Sequence, residues 1–453
     1  MQTTFNVRVW HPQGWRDGVL PGSEAECAIA HPSGNAVTQR MVPGIANLHS
    51  HAFQRAMAGM AERRTSPTGD AGQAHDSFWT WRETMYRFAA RFTPDTLHAV
   101  AAQLYAEMLE AGYTSVCEFH YLHHAPEGSA YADPAAMSRA LVAAAQETGI
   151  RMTLLPVLYM TGGFDGRVLD QRQRRFAHDI DGYLRLLDTL RIEQCDTLRI
   201  GCALHSLRAV PADAIAAVLA ALPDDSRVHI HIAEQTGEVD ECLALRGARP
   251  VQWLLDHAPV DERWTLVHAT HIDHAELRAI ARSGATVAIC PTTEANLGDG
   301  FFPLRDYLDA GGRWGIGSDS NSSVSPVEEL RWLEYGQRLL TRRRNVAVNA
   351  PATSVGESLL RGVVGSAASS TGHPFDGNAD AATADRLVLD ADAPQLVGAC
   401  DDDALDRWIF NGNRPLVRES WVDGRRVVEQ GRHVMRDAIA ERFGKAMARL
   451  LAG

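Results

Sequence analysis

Residues 41–51 read Met41-Val-Pro-Gly-Ile-Ala-Asn-Leu-His-Ser-His51, a short apolar run ending in two histidines one residue apart. In an extended strand residues i and i+2 point to the same face, so His49 and His51 can grip one ion together. Further along, His231, His268 and Asp319 each close another apolar run: Val228-His-Ile-His-Ile-Ala-Glu234, Trp264-Thr-Leu-Val-His268 and Gly315-Ile-Gly-Ser-Asp319. A single HxH pair carries little weight, because surface histidines are common. Five metal-type side chains delivered from the ends of four predicted strands are hard to obtain by accident, and they predict one shared mouth.

The rest of the chain fits that reading. Apolar strand-like runs lie at 42–51, 115–121, 152–160, 198–207, 228–234, 265–272, 285–291 and 314–320. They alternate with segments of helical period, the pattern of a parallel sheet with crossover helices. Thr93-Pro94 supplies an N-cap and a first-turn proline for a helix that Gly112 ends. Other helices are expected near 134–148, 173–192, 211–222, 238–257, 274–283, 326–343 and 355–369. Eight such units predict an α/β fold, a (β/α)8 TIM barrel over residues 43–375. The flanks, 1–42 and 376–453, hold short alternating strands, a hairpin signal at Asp423-Gly424 and a terminal helix. They are expected to form one small β-sandwich built from both chain ends. Residues 61–76, rich in Arg, Thr, Gly, Pro and Asp, are the expected cover of the mouth.

Composition narrows the function. The 453 residues are 45% hydrophobic and carry a net charge of −12 with dispersed arginines, which argues against a nucleic-acid partner. The start, Met1 to Arg8, shows no basic segment leading into an apolar one, and no stretch approaches the roughly 18 apolar residues of a membrane span. A cytoplasmic protein without a membrane partner is expected. Seven cysteines without a CxxC pair suggest neither a disulfide framework nor a thiolate zinc site. The only lysine is Lys445. Barrel hydrolases with two metals often bridge them with a carbamylated lysine, and none is available on any predicted core strand.

In a barrel the functional groups gather where the βα loops converge, at the carboxyl ends of the strands. Imidazole and carboxylate donors suit Zn²⁺, with Fe²⁺ and Mn²⁺ accepting the same ligand types. Glu234, three residues beyond His231, stands where a non-ligand carboxylate could shuttle a proton. The residues alone do not separate ligand from helper at His268. His120, His123, His124 and His229 are read as structural.

The set Leu48-His-Ser-His51, His231-Ile-Ala-Glu234, Val267-His268 and Gly317-Ser-Asp319 resembles the amidohydrolase superfamily, in its mononuclear deaminase branch. The resemblance spans almost the whole chain. It is closer still in Asn47-Leu-His-Ser-His-Ala-Phe-Gln-Arg-Ala-Met-Ala-Gly59, Asp76-Ser-Phe-Trp-Thr-Trp-Arg-Glu83, Glu118-Phe-His-Tyr121, His205-Ser-Leu-Arg-Ala-Val210 and Thr293-Glu-Ala-Asn-Leu-Gly-Asp-Gly300. There it looks like members that deiminate a linear formimino amino acid. That likeness implies hydrolysis of N-formimino-L-glutamate to N-formyl-L-glutamate and ammonia in histidine degradation, with one divalent metal ion and no organic cofactor. It implies His49, His51, His231 and Asp319 as ligands, Asp319 also as base, His268 as electrophilic helper and Glu234 as proton shuttle. Gln54, Arg82, Tyr121, His205 and Arg208 match substrate-binding positions, and a homodimer is expected from the family.

A substrate with two carboxylates makes physical sense of Arg82 and Arg208, because a planar guanidinium binds carboxylate through two hydrogen bonds. The Trp79 and Trp81 alternation reads as packing of the cover. Two rival readings stand beside this one. A purine- or pyrimidine-type ring deaminase would share the metal core but want apolar walls and a base-edge amide. A non-catalytic barrel scaffold would be free to lose ligands, yet the full set is kept.

Overall fold

The computed structural model describes residues 3–22, 39–63, 78–375, 377, 379 and 383–452. Eight strands pair in parallel and in chain order: β1 (Ile45–Ser50), β2 (Tyr113–His120), β3 (Arg151–Leu158), β4 (Cys202–Ser206), β5 (Val228–Ile232), β6 (Trp264–His268), β7 (Thr286–Ile289) and β8 (Arg313–Ile316). Leu198–Ile200 extends β4 along the edge of β3. The barrel closes where Ile316 of β8 pairs with Asn47 of β1. Every residue of β1, β2 and β3 is buried. That explains why these strands read as unbroken apolar runs with isolated polar residues rather than as alternations.

Crossover helices cover the barrel, and local chemistry sets their ends. Pro94–Ala111 starts at Thr93, whose side chain accepts the Thr96 N–H, and stops at Gly112, which adopts φ 115°. That left-handed conformation is easy only for glycine. Two expected helices come out shorter. The segment 238–257 is two helices, Thr236–Arg246 and Pro250–His257, because Gly247 takes φ 73° and Pro250 begins a new first turn. The helix expected from 173 begins at Ile180, where Asp179 caps it. The helices Phe78–Ala89, Pro291–Leu297 and Leu304–Asp309 were not among those expected. Of the expected cover, residues 64–76 lie outside the described residues.

Both chain ends contribute to a second, seven-stranded sheet. Its order is Arg432–His433, Arg425–Glu429, Val417–Val422, Arg386–Leu389, Arg40–Pro43, Thr3–His11 and Gly14–Gly22. The hairpin at Asp423-Gly424 has φ 50° and 72° at its two central residues, the left-handed pair that a tight two-residue turn demands. One buried ion pair ties this sheet to the barrel. Arg151 at the start of β3 donates from Nε and Nη2 to Asp385 at 3.0 and 2.9 Å.

Candidate metal centre and substrate pocket

β1 and β8 are held together by a buried amide and hydroxyl network. Asn47 Nδ2 donates to Ser318 Oγ at 2.7 Å, the Ser318 N–H returns to Asn47 Oδ1 at 3.0 Å, and Ser318 Oγ donates to Asn321 at 2.6 Å. Gly317 makes the close approach possible, since a Cβ there would lie 2.8 Å from His49 Cβ and 2.9 Å from its carbonyl. The Asp319 N–H then reaches the His49 carbonyl at 2.9 Å, and the His51 N–H reaches the Asp319 carbonyl at 3.0 Å. Ala233, His268, Ala269, Asp319 and Asn321 all have positive φ, between 47° and 69°. Such backbones cost about 1–3 kcal/mol each and persist where surrounding hydrogen bonds over-determine them.

The result is a compact donor cluster. His49 Nε2 lies 3.1 Å from His51 Nε2 and 3.0 Å from His231 Nε2, and Asp319 Oδ1 lies 3.4 and 3.3 Å from His49 and His51. His51 Nδ1 donates to the Phe119 carbonyl at 2.8 Å and His231 Nδ1 to the His205 carbonyl at 3.0 Å. A carbonyl only accepts, so both Nε2 atoms carry lone pairs. Three inward nitrogens, at least two of them without a proton, and a carboxylate cannot satisfy one another. A divalent cation resolves this, and all four groups are buried within 4.8 Å of one another. These four groups could hold a metal ion. Burial holds His49 at about 3 and His231 well below the ordinary histidine range, so both offer neutral imidazole. Burial alone would raise Asp319, but its hydrogen bond to His49 and the surrounding imidazoles hold it below the usual carboxylate range.

His268 stands beside this cluster. Its Nε2 is 3.8 Å from both Glu234 Oε1 and Asp319 Oδ2, and its Nδ1 is 3.3 Å from Glu294 Oε1. Burial works against its charge, yet the carboxylates of Glu234, Glu294 and Asp319 raise it to about 10. Burial pushes Glu234 up to about 7, opposed by the His268 imidazole. A carboxyl poised there can both hold and release a proton near neutrality.

A family sequence profile, described as the amidohydrolase family, matches residues 40–355. The chain belongs to the amidohydrolase family. It is a hydrolase acting on C–N bonds. The formimidoylglutamate deiminase of Pseudomonas aeruginosa is 48% identical over 459 residues, covering 100% of both chains. The crystal structure of an amidohydrolase from Brucella melitensis superposes with a TM-score of 0.88 at 43% identity, over 99% of this chain and 100% of the other. The 5-methylthioadenosine/S-adenosylhomocysteine deaminase of Natronomonas pharaonis is 27% identical over 397 residues, 86% of this chain and 81% of its own.

Above the metal centre the amidohydrolase has one cavity that takes in all five expected substrate residues, Gln54, Arg82, Tyr121, His205 and Arg208. Gln54 donates from Nε2 to the Tyr121 hydroxyl at 2.9 Å, while its buried Oε1 has no partner among the described residues. Burial, reinforced by Arg208 and Arg82, holds His205 well below the ordinary range, so it too is neutral. Burial opposes the charge of Arg208, but Tyr159 and Glu238 keep it raised. Trp81, Tyr86 and Phe176 complete the wall, and Trp79 falls on the same helix as Trp81. Of the four histidines read as structural, three bond to backbone, His123 to Val157, His124 to Ala177 and His229 to Ser370, at 2.9, 2.7 and 3.0 Å, while the buried His120 Nε2 has no hydrogen-bond partner among the described residues. The lone lysine, Lys445, pairs with Glu441 on the terminal helix, far in sequence from any barrel strand.

Sequence reasoning missed three supports of this amidohydrolase site. Tyr159 lies one residue past β3, so its place at a strand end could have found it. Glu294 was quoted only for resemblance. Glu238 accepts the N–H groups of Ala233 and Glu234, both at 3.0 Å, and so fixes the turn that carries Glu234. Its signal was an acidic residue in the first turn of the helix after β5.

Proposed function

We propose that this enzyme hydrolyses N-formimino-L-glutamate to N-formyl-L-glutamate and ammonia, a step of histidine degradation. The observation that carries the reading is the pair of guanidiniums, Arg82 and Arg208, in the wall of a cavity whose floor is the imidazole cluster. Two fixed guanidiniums suit two carboxylates, which a neutral ring does not offer. The full-length likeness to the Pseudomonas aeruginosa formimidoylglutamate deiminase supports it. The ring-deaminating relatives compared are more distant, at 27% identity or less.

In this reading His49, His51, His231 and Asp319 hold the ion, Zn²⁺ by preference of the donor set, with Fe²⁺ and Mn²⁺ compatible. When bound, the ion supplies Lewis acidity that brings a water toward deprotonation near neutral pH. Asp319 Oδ2, on the His268 side of the cluster, takes the proton of the attacking water. His268 Nε2 hydrogen-bonds to the charge that develops at the formimino carbon. Glu234 Oε1 delivers a proton to the nitrogen that leaves as ammonia. Gln54, Tyr121 and His205 position the formimino group, and the arginines hold the carboxylates. The barrel over 43–375 carries this chemistry, with 1–42 and 376–453 as the accompanying unit.

The same reading has the enzyme as a cytoplasmic homodimer. No helix among the described residues is long and apolar enough to cross a membrane. The helix Pro326–Thr341 exposes Trp332, Leu339 and Leu340, a face suited to a second copy. Light scattering checks the assembly. The activity itself is tested by ammonia release from N-formimino-L-glutamate beside cytosine, guanine and adenosine. Turnover of the formimino substrate alone is expected; preference for any of the rings would overturn the assignment.

A further inference from the structure

Tyr159 is 1% exposed, and its ring is wedged edge-on against His205 with centroids 4.5 Å apart. Its hydroxyl oxygen is a meeting point of donors. Gln173 Nε2 reaches it at 3.0 Å and Arg82 Nη2 at 3.2 Å, and the Arg208 guanidinium, in the same cavity wall, interacts with it electrostatically. The Gln173 amide cannot turn around, because its Oε1 is committed to the Asp170 N–H at 3.0 Å. Arg82 comes from the helix Phe78–Ala89, Gln173 from the loop after β3 and Arg208 from the loop after β4. Three elements are thus joined at one atom.

A phenol offers two lone pairs and one proton. Every protein partner of this oxygen among the described residues is a donor, so the lone pairs are engaged and the O–H is left over. Tyr159 lines the same cavity as the two arginines. An acceptor arriving there meets two guanidiniums and one hydroxyl in the wall of a single cavity. We infer that Tyr159 is a specificity-determining residue: it locks Arg82 and Arg208 into one anion receptor and donates its own proton to a substrate carboxylate. The inference rests on the dicarboxylate reading above. It adds a reason for selectivity, since a neutral ligand would leave the buried O–H without an acceptor.

Tyr159→Phe keeps the ring against His205 and removes only the oxygen. With N-formimino-L-glutamate, KM is expected to rise about ten-fold or more, as for loss of a hydrogen bond to a charged group, while kcat is largely kept. Glutarate, a dicarboxylate that cannot react, is the second probe: its affinity measured by calorimetry should fall by a similar factor. If the parent enzyme does not turn over the formimino substrate, the functional reading fails, and the glutarate comparison still judges Tyr159. Unchanged KM and unchanged glutarate affinity would overturn the inference. So would a collapse of kcat with glutarate affinity intact, because the hydroxyl would then serve the reacting centre.

Discussion

Glu294 Oε1 lies 3.3 Å from His268 Nδ1, and the same oxygen accepts the Cys290 N–H at 2.9 Å. The carboxylate is buried and pinned to the start of the helix Pro291–Leu297, so it fixes the imidazole plane and aims Nε2 between Glu234 and Asp319. An outer carboxylate of this kind sets both the tautomer and the basicity of the ring it holds. Glu294→Leu is expected to lower kcat about 10- to 100-fold with metal content intact. Glu294→Gln should lose less, because its amide oxygen can still accept the Nδ1 proton. Steady-state kinetics with elemental analysis checks the order; equal losses in both variants would mean that Glu294 serves only packing.

One metal ion per chain is expected rather than two. His268, Cys290 and Glu294 form another group of ligand-type atoms within 4.8 Å. There, however, Nδ1 of His268 is engaged by Glu294, and burial pushes the Cys290 thiol well up, away from thiolate. His231→Ala should lose both metal and activity. Glu234→Gln should retain the metal and lose on the order of 10²–10⁴-fold in rate. Two tightly bound ions, both needed for turnover, would sink this account.

The barrel was legible because each core strand is buried on both faces, and each ligand-type residue interrupts an otherwise apolar run at a strand end. His49, His51, His231 and Asp319 therefore stood out from sequence alone. Their supports did not. Asn47, Ser318 and Asn321 act through short-range polar contacts between strands far apart in the chain, and no local pattern reports such pairing. The split at Gly247 and Pro250 was visible as residues, yet the helical period on either side bridged it. Tyr159 and Glu238 are ordinary residue types whose roles come from what surrounds them.

The Arg151–Asp385 pair is expected to hold the terminal sheet on the barrel. Both side chains are less than a tenth exposed, and Asp385 also accepts the Asp423 N–H at 3.1 Å. Removing one partner of a buried pair leaves the other charge uncompensated, typically costing about 3–5 kcal/mol. Asp385→Ala should lower the unfolding free energy by up to that amount, since Arg151 then keeps only Asp423, 3.7 Å away and 36% exposed, as a carboxylate partner. The double variant Arg151→Met with Asp385→Leu should recover much of it, since the only charge left without its partner, Asp423, is 36% exposed. Chemical denaturation of the metal-loaded enzyme distinguishes the two.

Stability should peak near neutral pH. Burial lowers His120 to about 3, His178 and His229 to about 4 and His373 to about 3, and none of these belongs to the ligand cluster. Unfolded, each returns to roughly 6.5. Their contribution is full above that value and is lost as pH falls, because the unfolded chain then binds protons that the native state refuses. Each adds a slope of up to about 1.4 kcal/mol per pH unit below 6.5. Glu118 acts in the opposite sense. Burial raises it to about 8, so its contribution is full below its unfolded value and is lost as pH rises through 8. On the acid side the four histidines outweigh Glu118, and above 6.5 Glu118 acts without them, in the same sense as Asp299, which burial also raises to about 8. Melting temperature should thus drop steeply from pH 6.5 to 5 and more gently from 7 to 8, and Glu118→Gln should flatten the alkaline limb while steepening the acid one. A profile that stays level between pH 7 and 5 would show that the buried histidines take up protons in the native state after all.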